Sequence, residues 1–141
     1  MGVYSEALGR FLNRSDLTIK ATGAEAPGAS GGTTTGSWVE LGDAGVMNLL
    51  VNITVAATGT SPTMLVTIEG SDDTVTAYTL GQFGANGYTL GTPATVPTNF
   101  VSATYAIHGS IPAARYVRYK AVIGGTSTPT FTYSIAGSSA G

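Results

Sequence analysis

The sequence predicts an all-β protein, an antiparallel two-sheet β-sandwich of jelly-roll type. Three observations predict it. Segments such as "MNLLVNITVAA" and "TFTYSIAG" place apolar residues at every second position, the period of a strand with one buried face. Clusters of Gly, Pro and Asn punctuate these segments at the spacing of turns. Charged residues make up only 10% of the 141 residues, against about 25% in an average domain, as expected of a Thr-, Ser- and Gly-rich β surface. A strand with one apolar face must bury it, so two sheets pack face to face or one sheet closes on itself.

Two regions are expected. Residues 1–36 form an N-terminal segment, and residues 37–141 form the sandwich domain. In the first, Val3, Ala7, Leu8, Phe11 and Leu12 fall on one helical face with Ser5 as a cap, which predicts a short helix over 3–12. That helix closes one end of the core or acts as an arm that docks on a neighbouring molecule; the third reading of the segment is disorder, since termini often fray. "DLTIKAT" alternates Leu17, Ile19 and Ala21 against Thr18 and Lys20 and reads as a strand. "GAEAPGASGGTTTG", residues 23–36, reads as a loop or flexible linker. At up to about 3.3–3.6 Å per residue, such a stretch gives an arm a reach on the order of 45–50 Å.

The body opens with the short strand "SWVELG", which carries the single tryptophan, Trp38. Leu49, Val51, Ile53 and Val55 then share one face. Met64, Val66 and Ile68 point inward, with Thr67 and Glu69 outward. "TAYTLGQF" is a weaker strand. Val101, Ala103, Tyr105 and Ile107 share a face of "NFVSATYAIHG". Val117, Tyr119, Ala121 and Ile123 point inward, with Arg115, Tyr116, Arg118 and Lys120 at the outer face or edge. Phe131, Tyr133 and Ile135 close the core. Val51, Ile53, Val66, Ile68, Val117, Tyr119, Phe131 and Ile135 are its expected centre.

One phrase occurs twice, as "GTSPTMLVTIEGS" from Gly59 and "GTSTPTFTYSIAGS" from Gly125. Pro62 and Pro129 cannot donate to a ladder, and the glycines permit a reversal, so each copy reads as a hairpin. The second copy has one more residue, Thr128, an insertion that a turn absorbs and a strand does not. The two hairpins are expected either as ordinary reuse or at related positions in the sandwich.

The search for chemistry returns no catalytic residue, no cofactor site and no metal site. His108 is the sole histidine and stands at a strand end without a triad or ligand partner in the sequence pattern. "EGSDD", Glu69 to Asp73, is the one acidic cluster; its composition suits a turn better than a calcium loop. The glycine-rich turns do not match a phosphate loop. With no cysteine, disulfides and thiolate metal sites are excluded. A net charge of −2 offers nothing to nucleic acid. No signal peptide is expected at the start, and the run "VMNLLVNITVAA" is broken by Asn48, Asn52 and Thr54, so no membrane span is expected. Tyrosines and Trp38 supply the raw material of a sugar platform, although several alternate into the core. Arg115, Arg118 and Lys120 form one modest basic stripe, suited to a subunit contact.

"VNITVAATGTSPTMLVTIEGSDD" and "ARYVRYKAVIGGTSTPTFTYSIAG" together resemble the small β-sandwich structural proteins of tailed bacteriophages, over roughly Trp38 to Gly137. The resemblance implies a virion component, a head decoration or minor capsid protein. Such a protein sits on the capsid outer surface as a trimer or similar cluster and bridges major capsid protein subunits. It is made in the host cytoplasm and is not an enzyme. Its expected partners are the major capsid protein and itself. The expected contact residues are Val3, Leu8, Phe11, Leu12, Arg115 and Arg118. The alternative is a carbohydrate- or receptor-binding module of a phage tail or surface protein.

Overall fold

The structure, a computed structural model, describes residues 2–5 and 10–141, with side chains from position 14 onward. Nine strands follow in chain order: β1 (Gly2–Ser5), β2 (Arg10–Glu25), β3 (Gly32–Thr35), β4 (Val39–Glu40), β5 (Val46–Ser71), β6 (Tyr78–Gly84), β7 (Gly87–Leu90), β8 (Tyr105–Pro112) and β9 (Tyr116–Ala140). Every strand pairing is antiparallel, and there is no helix among the described residues.

The architecture is set by β5 and β9. They run as one long antiparallel ribbon, from Val46↔Ala140 at one end to Ser71↔Tyr116 at the other. Midway, the register shifts repeatedly between Ile53 and Thr63. Bulges of this kind bend a strand and raise its twist, and here the ribbon folds over onto itself. Its first limb (46–53 with 133–140) is flanked by β2 on β9 and by β8 on β5. Its second limb (63–71 with 116–124) is flanked by β3 and β4 on β9 and by β6, then β7, on β5. The sheets are therefore β2–β9–β5–β8 and β3/β4–β9–β5–β6–β7, each central pair shared through the folded ribbon. This is the two-sheet jelly roll, as the patterning predicts.

One core lies between the sheets. Leu49, Val51 and Ile53 from the first limb meet Met64, Val66 and Ile68 from the second, with Val117, Tyr119, Ala121, Phe131, Tyr133 and Ile135 of β9. All eight residues expected at its centre are buried. Phe83 and Phe100, both fully buried, fill it from β6 and the segment before β8.

The doubled phrase marks the fold line of the ribbon. Neither copy is a hairpin, contrary to expectation: each is the corner where a through-running strand crosses from one sheet to the other. The two corners pack on each other reciprocally. A Cβ on Gly59 would lie 2.8 Å from Pro129 Cα, and one on Gly125 would lie 3.1 Å from Pro62 Cα. Both glycines have φ that other residues rarely adopt, 106° and 119°. Thr60 Oγ1 donates to Ser127 Oγ at 3.2 Å across the contact. The copies thus take equivalent places in the ribbon: β2 flanks the run after the second copy as β6 flanks the run after the first, and β3 and β8 flank the runs before them.

Three further expectations are corrected. The expected helix over 3–12 is replaced by strands: β1 pairs with the start of β2, Val3↔Leu12 and Tyr4↔Phe11 in register. Cross-strand pairing satisfies the backbone that a helix of this length, marginal alone in water, leaves to its own turns. The stretch 23–36, expected to be flexible, is tied along β9. Gly23, Ala24 and Glu25 extend β2, β3 pairs from Gly32↔Ile123 to Thr35↔Lys120, and Thr128 N donates to Ala29 O at 3.0 Å. Small Gly, Ala and Thr residues allow this close approach. Gly31 lies so near the Ile123 carbonyl that a side chain has no room. Third, Val101 is 46% exposed, and the strand begins only at Tyr105.

Candidate interaction surface

The outer face of the second sheet carries a charged cluster, and period two puts it there. With Val117, Tyr119 and Ala121 in the core, Arg118 and Lys120 must point outward. Opposite Arg118 across β5 stands Glu69, whose Oε1 accepts from Arg118 Nε at 2.9 Å while Oε2 lies 3.7 Å from Lys120 Nζ. On the other flank the Arg118 guanidinium stacks 4.2 Å over the Trp38 ring. Glu69 is only 8% exposed. The carboxylate is thus held by two cations, and the indole covers one of them. The row continues in polar register, Thr35–Lys120–Thr67–Gln82–Thr89, with Gln82 Nε2 donating to Thr67 Oγ1. Glu69, which the sequence places both on the outer side of its strand and at the start of the acidic cluster, belongs to this strand face.

Arg115 stands apart from Arg118. It precedes β9, is 59% exposed, lies 4.0 Å from Glu40 and packs on the Tyr116 ring. An exposed pair at that distance adds little stability. The two arginines named as contact residues are therefore separate features, one a built network and one a free-standing rim charge. The backbones of Val3, Phe11 and Leu12 lie in β1 and β2. Their side chains, and Leu8 entirely, lie outside the described residues.

A second polar cluster was not legible in the sequence. The pairing of β2 with β9 shifts register between Thr18 and Lys20 and again between Lys20 and Gly23. The bulges turn Lys20, expected outward, onto β9. Lys20 is 9% exposed, donates from Nζ to Tyr133 O at 2.8 Å and to Gly23 O at 3.0 Å, and lies 4.1 Å above the Tyr133 ring. Ala21 is pushed out to solvent by the same shift. Glu25 then accepts from two phenols, Tyr119 at 2.8 Å and Tyr133. Tyr119 belongs to one sheet and Tyr133 to the other, so the Glu25 carboxylate latches the sandwich together. Burial lowers the Lys20 pKa, partly opposed by Glu25. Burial first, then the hydrogen bond to Glu25 and its charge, pushes both phenols far above their ordinary range.

The remaining sequence candidates are structural. Asp73 Oδ1 accepts from the backbone N–H of Val75 and Thr76, both at 2.9 Å, and from Ser71 Oγ at 3.0 Å. Those bonds hold its pKa below the usual carboxylate value, Thr76 first. These bonds give Asp73 Oδ1 a turn-holding role. No cluster of three or more His, Asp or Glu suited to a metal occurs among the described residues. His108 lies on the outer face of β8, paired with Leu50, without a catalytic partner in contact. Of the aromatics weighed for a sugar platform, Tyr119 and Tyr133 are buried against each other edge to face and Trp38 is covered by Arg118, whereas Tyr78 and Tyr88 stay exposed.

No family model matches the sequence, and no curated protein matches it. Among solved structures, the chain overlays chains from infectious bursal disease virus over 92% of its length. The structure of the infectious bursal disease virus Gx strain gives a TM-score of 0.48 at 16% identity, with 32% of that chain covered. The crystal structure of the infectious bursal disease virus VP2 subviral particle gives 0.39 at 14% identity, with 32% covered. The Gt strain of the same virus gives 0.39 at 16% identity, with 31% covered. The chain thus spans about a third of the length of these neighbours.

Proposed function

We propose that this chain is a structural protein of a virus particle, a decoration or minor capsid protein of a tailed bacteriophage. In this reading it is made in the host cytoplasm, seats on the capsid outer surface as a trimer and bridges major capsid protein subunits. The observation that carries the reading is the folded β5–β9 ribbon with its flanking strands. That is the jelly roll, an architecture of viral capsid and lectin domains. Within that pair of uses, the lectin reading has fewer aromatics to draw on, because Tyr119 and Tyr133 are buried and Trp38 is covered by Arg118, which leaves Tyr78 and Tyr88 exposed. The virion reading needs only surfaces. It also agrees with the resemblance of the "TGTSPT" and "RYVRYKA" segments to phage structural proteins.

Arg115 and the N-terminal residues Val3, Leu8, Phe11 and Leu12 are the proposed contacts to a capsid subunit. Arg118 contributes through the Trp38 and Glu69 network, which presents Lys120 and the indole edge on a rigid face. Catalysis has no part in this reading.

Mass spectrometry of purified particles, followed by imaging, tests the proposal. The chain is expected in stoichiometric amounts on the head exterior. Its absence from particles, or its presence only at tail tips, overturns the reading. Particles stripped of it and re-supplied with Phe11→Asp protein are expected to bind several-fold less than with the native chain.

A further inference from the structure

The inward face of the first sheet breaks its own pattern at one end. Leu17 and Ile19 of β2, Tyr133 and Ile135 of β9, and Met47 and Leu49 of β5 are all buried there. Then Ser15 pairs with Ser139, and Ser139 with Met47, so two hydroxyl residues stand where the alternation asks for apolar ones. Natural chains break their own patterning chiefly at functional sites. Ser139 is only 9% exposed, and among the described residues its hydroxyl has no hydrogen-bond partner. Burying such a group unpaired costs free energy, so this hydroxyl is available to a ligand.

The turn 41–45 crosses this end of the sandwich. Leu41 N donates to Arg115 O at 2.7 Å, Ala44 N to Leu41 O at 3.3 Å and Gly45 N to Ala140 O at 2.8 Å, so the turn is tied beside the start of β9 and at its end. Two adjoining clefts lie here. One, of about 200 Å³, is lined by Ser15, Leu41, Asp43 and Ser139 among others. The other, of about 260 Å³, shares Ser15, Leu41 and Ser139 and adds Asp16, Leu17, Val39 and Glu40. No Lys or Arg lines either cleft. Glu40 lies 4.0 Å from the exposed Arg115. The carboxylates of Asp16 and Asp43 have no ion-pair or hydrogen-bond partner among the described residues.

We propose that these clefts receive a lysine side chain of a partner protein, its ammonium held by Asp43 with the Ser139 and Ser15 hydroxyls and its methylenes lying on Leu41. Charge complementarity selects a cation: the lining carries carboxylates and no counter-charge, which attracts a positive group and repels an anion. The apolar lining selects a cation on a stem, because Leu17, Val39 and Leu41 offer methylene groups a surface to cover. A bare metal ion does not use that surface, and no metal-holding group of His, Asp and Glu occurs among the described residues. Separate hydroxyl and carboxylate acceptors match the three donors of an ammonium, whereas a guanidinium presents a planar fork. Each cleft is smaller than the about 300–1,000 Å³ of small-molecule sites, a size for one side chain. The inference does not rest on the virion reading.

The test is a titration of the isotope-labelled full-length chain with Nα-acetyl-lysine N-methylamide, followed by nuclear magnetic resonance of the backbone amides. Saturable shifts in the millimolar range are expected at Ser15, Leu41, Asp43 and Ser139, weakening as salt is raised. The norleucine derivative, which keeps the stem and lacks the charge, is expected to leave these amides unmoved, and the arginine derivative to bind more weakly than the lysine one. Asp43 is exposed, so Asp43→Asn is expected to keep the fold and to raise the dissociation constant several-fold. Ser139→Ala is expected to raise it as well; should that variant disturb folding, Asp43→Asn and the norleucine comparison decide alone. The proposal is overturned by no saturable shift with the lysine derivative, by an equal response to norleucine, by tighter binding of arginine, or by an unchanged constant in either folded variant. Absence of the chain from virus particles overturns only the virion reading and leaves this site standing.

Discussion

Gly59→Ala tests the reciprocal corner most directly. The native φ of 106° lies beyond the left-handed well that Ala tolerates, and a Cβ would stand 2.8 Å from Pro129 Cα and 3.0 Å from Thr126 O. Both neighbours are backbone atoms of the partner corner, so neither can swing aside. A strained φ costs about 1–3 kcal/mol, and overpacking a fixed site about 1–3 kcal/mol more. The sum is about 2–6 kcal/mol. An unfolding entropy of about 2.1 cal/mol/K per residue over 141 residues converts each kcal/mol into about 3.4 °C. The expected fall in Tm is therefore about 7–20 °C by calorimetry or circular dichroism. Gly42→Ala is the internal reference: its φ is 60° with nothing within 4 Å, so only the backbone cost of about 1–2 kcal/mol applies. A Gly59→Ala fall no larger than that of Gly42→Ala refutes the interlocked corner. Gly125→Ala is expected to match Gly59→Ala, because the contact is reciprocal.

Other outcomes follow from the core and the polar clusters. Ile53→Ala or Ile68→Ala, each removing a buried side chain from opposite limbs of the ribbon, is expected to cost about 2–5 kcal/mol in denaturant unfolding; values near zero for both contradict the assigned core. Tyr119 and Tyr133 hold their protons more tightly when folded than when unfolded. Their contribution is therefore full below the unfolded phenol value of about 10 and is lost as pH rises beyond it. Tm is expected to fall steeply above about pH 10, and Glu25→Gln to flatten that fall by removing the carboxylate that opposes ionisation; an unchanged slope would remove the latch from the explanation. EDTA and millimolar calcium are each expected to leave Tm unchanged, whereas Asp73→Ala lowers it by about 1 kcal/mol equivalent through lost turn bonds; a calcium-induced rise contradicts the structural role of Asp73.

Strand identity was legible in the sequence because period two is a local signal. Val51 and Ile53, or Val117 and Tyr119, face inward wherever their strands lie, since a pleated strand with one apolar face has only one way to bury it. Turn chemistry at Asp73 was legible for the same reason: its partners are its own neighbours in the chain. Pairing partners were not. The same "GTS" phrase suits a hairpin or a corner, and only the register of β5 against β9 makes both copies corners of one ribbon. The helix expected over 3–12 failed on similar grounds, because Val3, Phe11 and Leu12 satisfy helical spacing while cross-strand pairing of β1 and β2 satisfies their backbone. Lys20 and Glu25 lie outside any local rule. A two-step register shift turned the lysine onto Tyr133, and the carboxylate found two phenols contributed by distant parts of β9. Alternation along the chain thus determined which side of each strand is apolar, while long-range hydrogen-bond register decided which strands meet and which buried polar groups find partners. The first depends on one residue's neighbours in sequence, and the second on backbone groups distant in the chain, such as Val46 with Ala140 or Arg14 with Ala140.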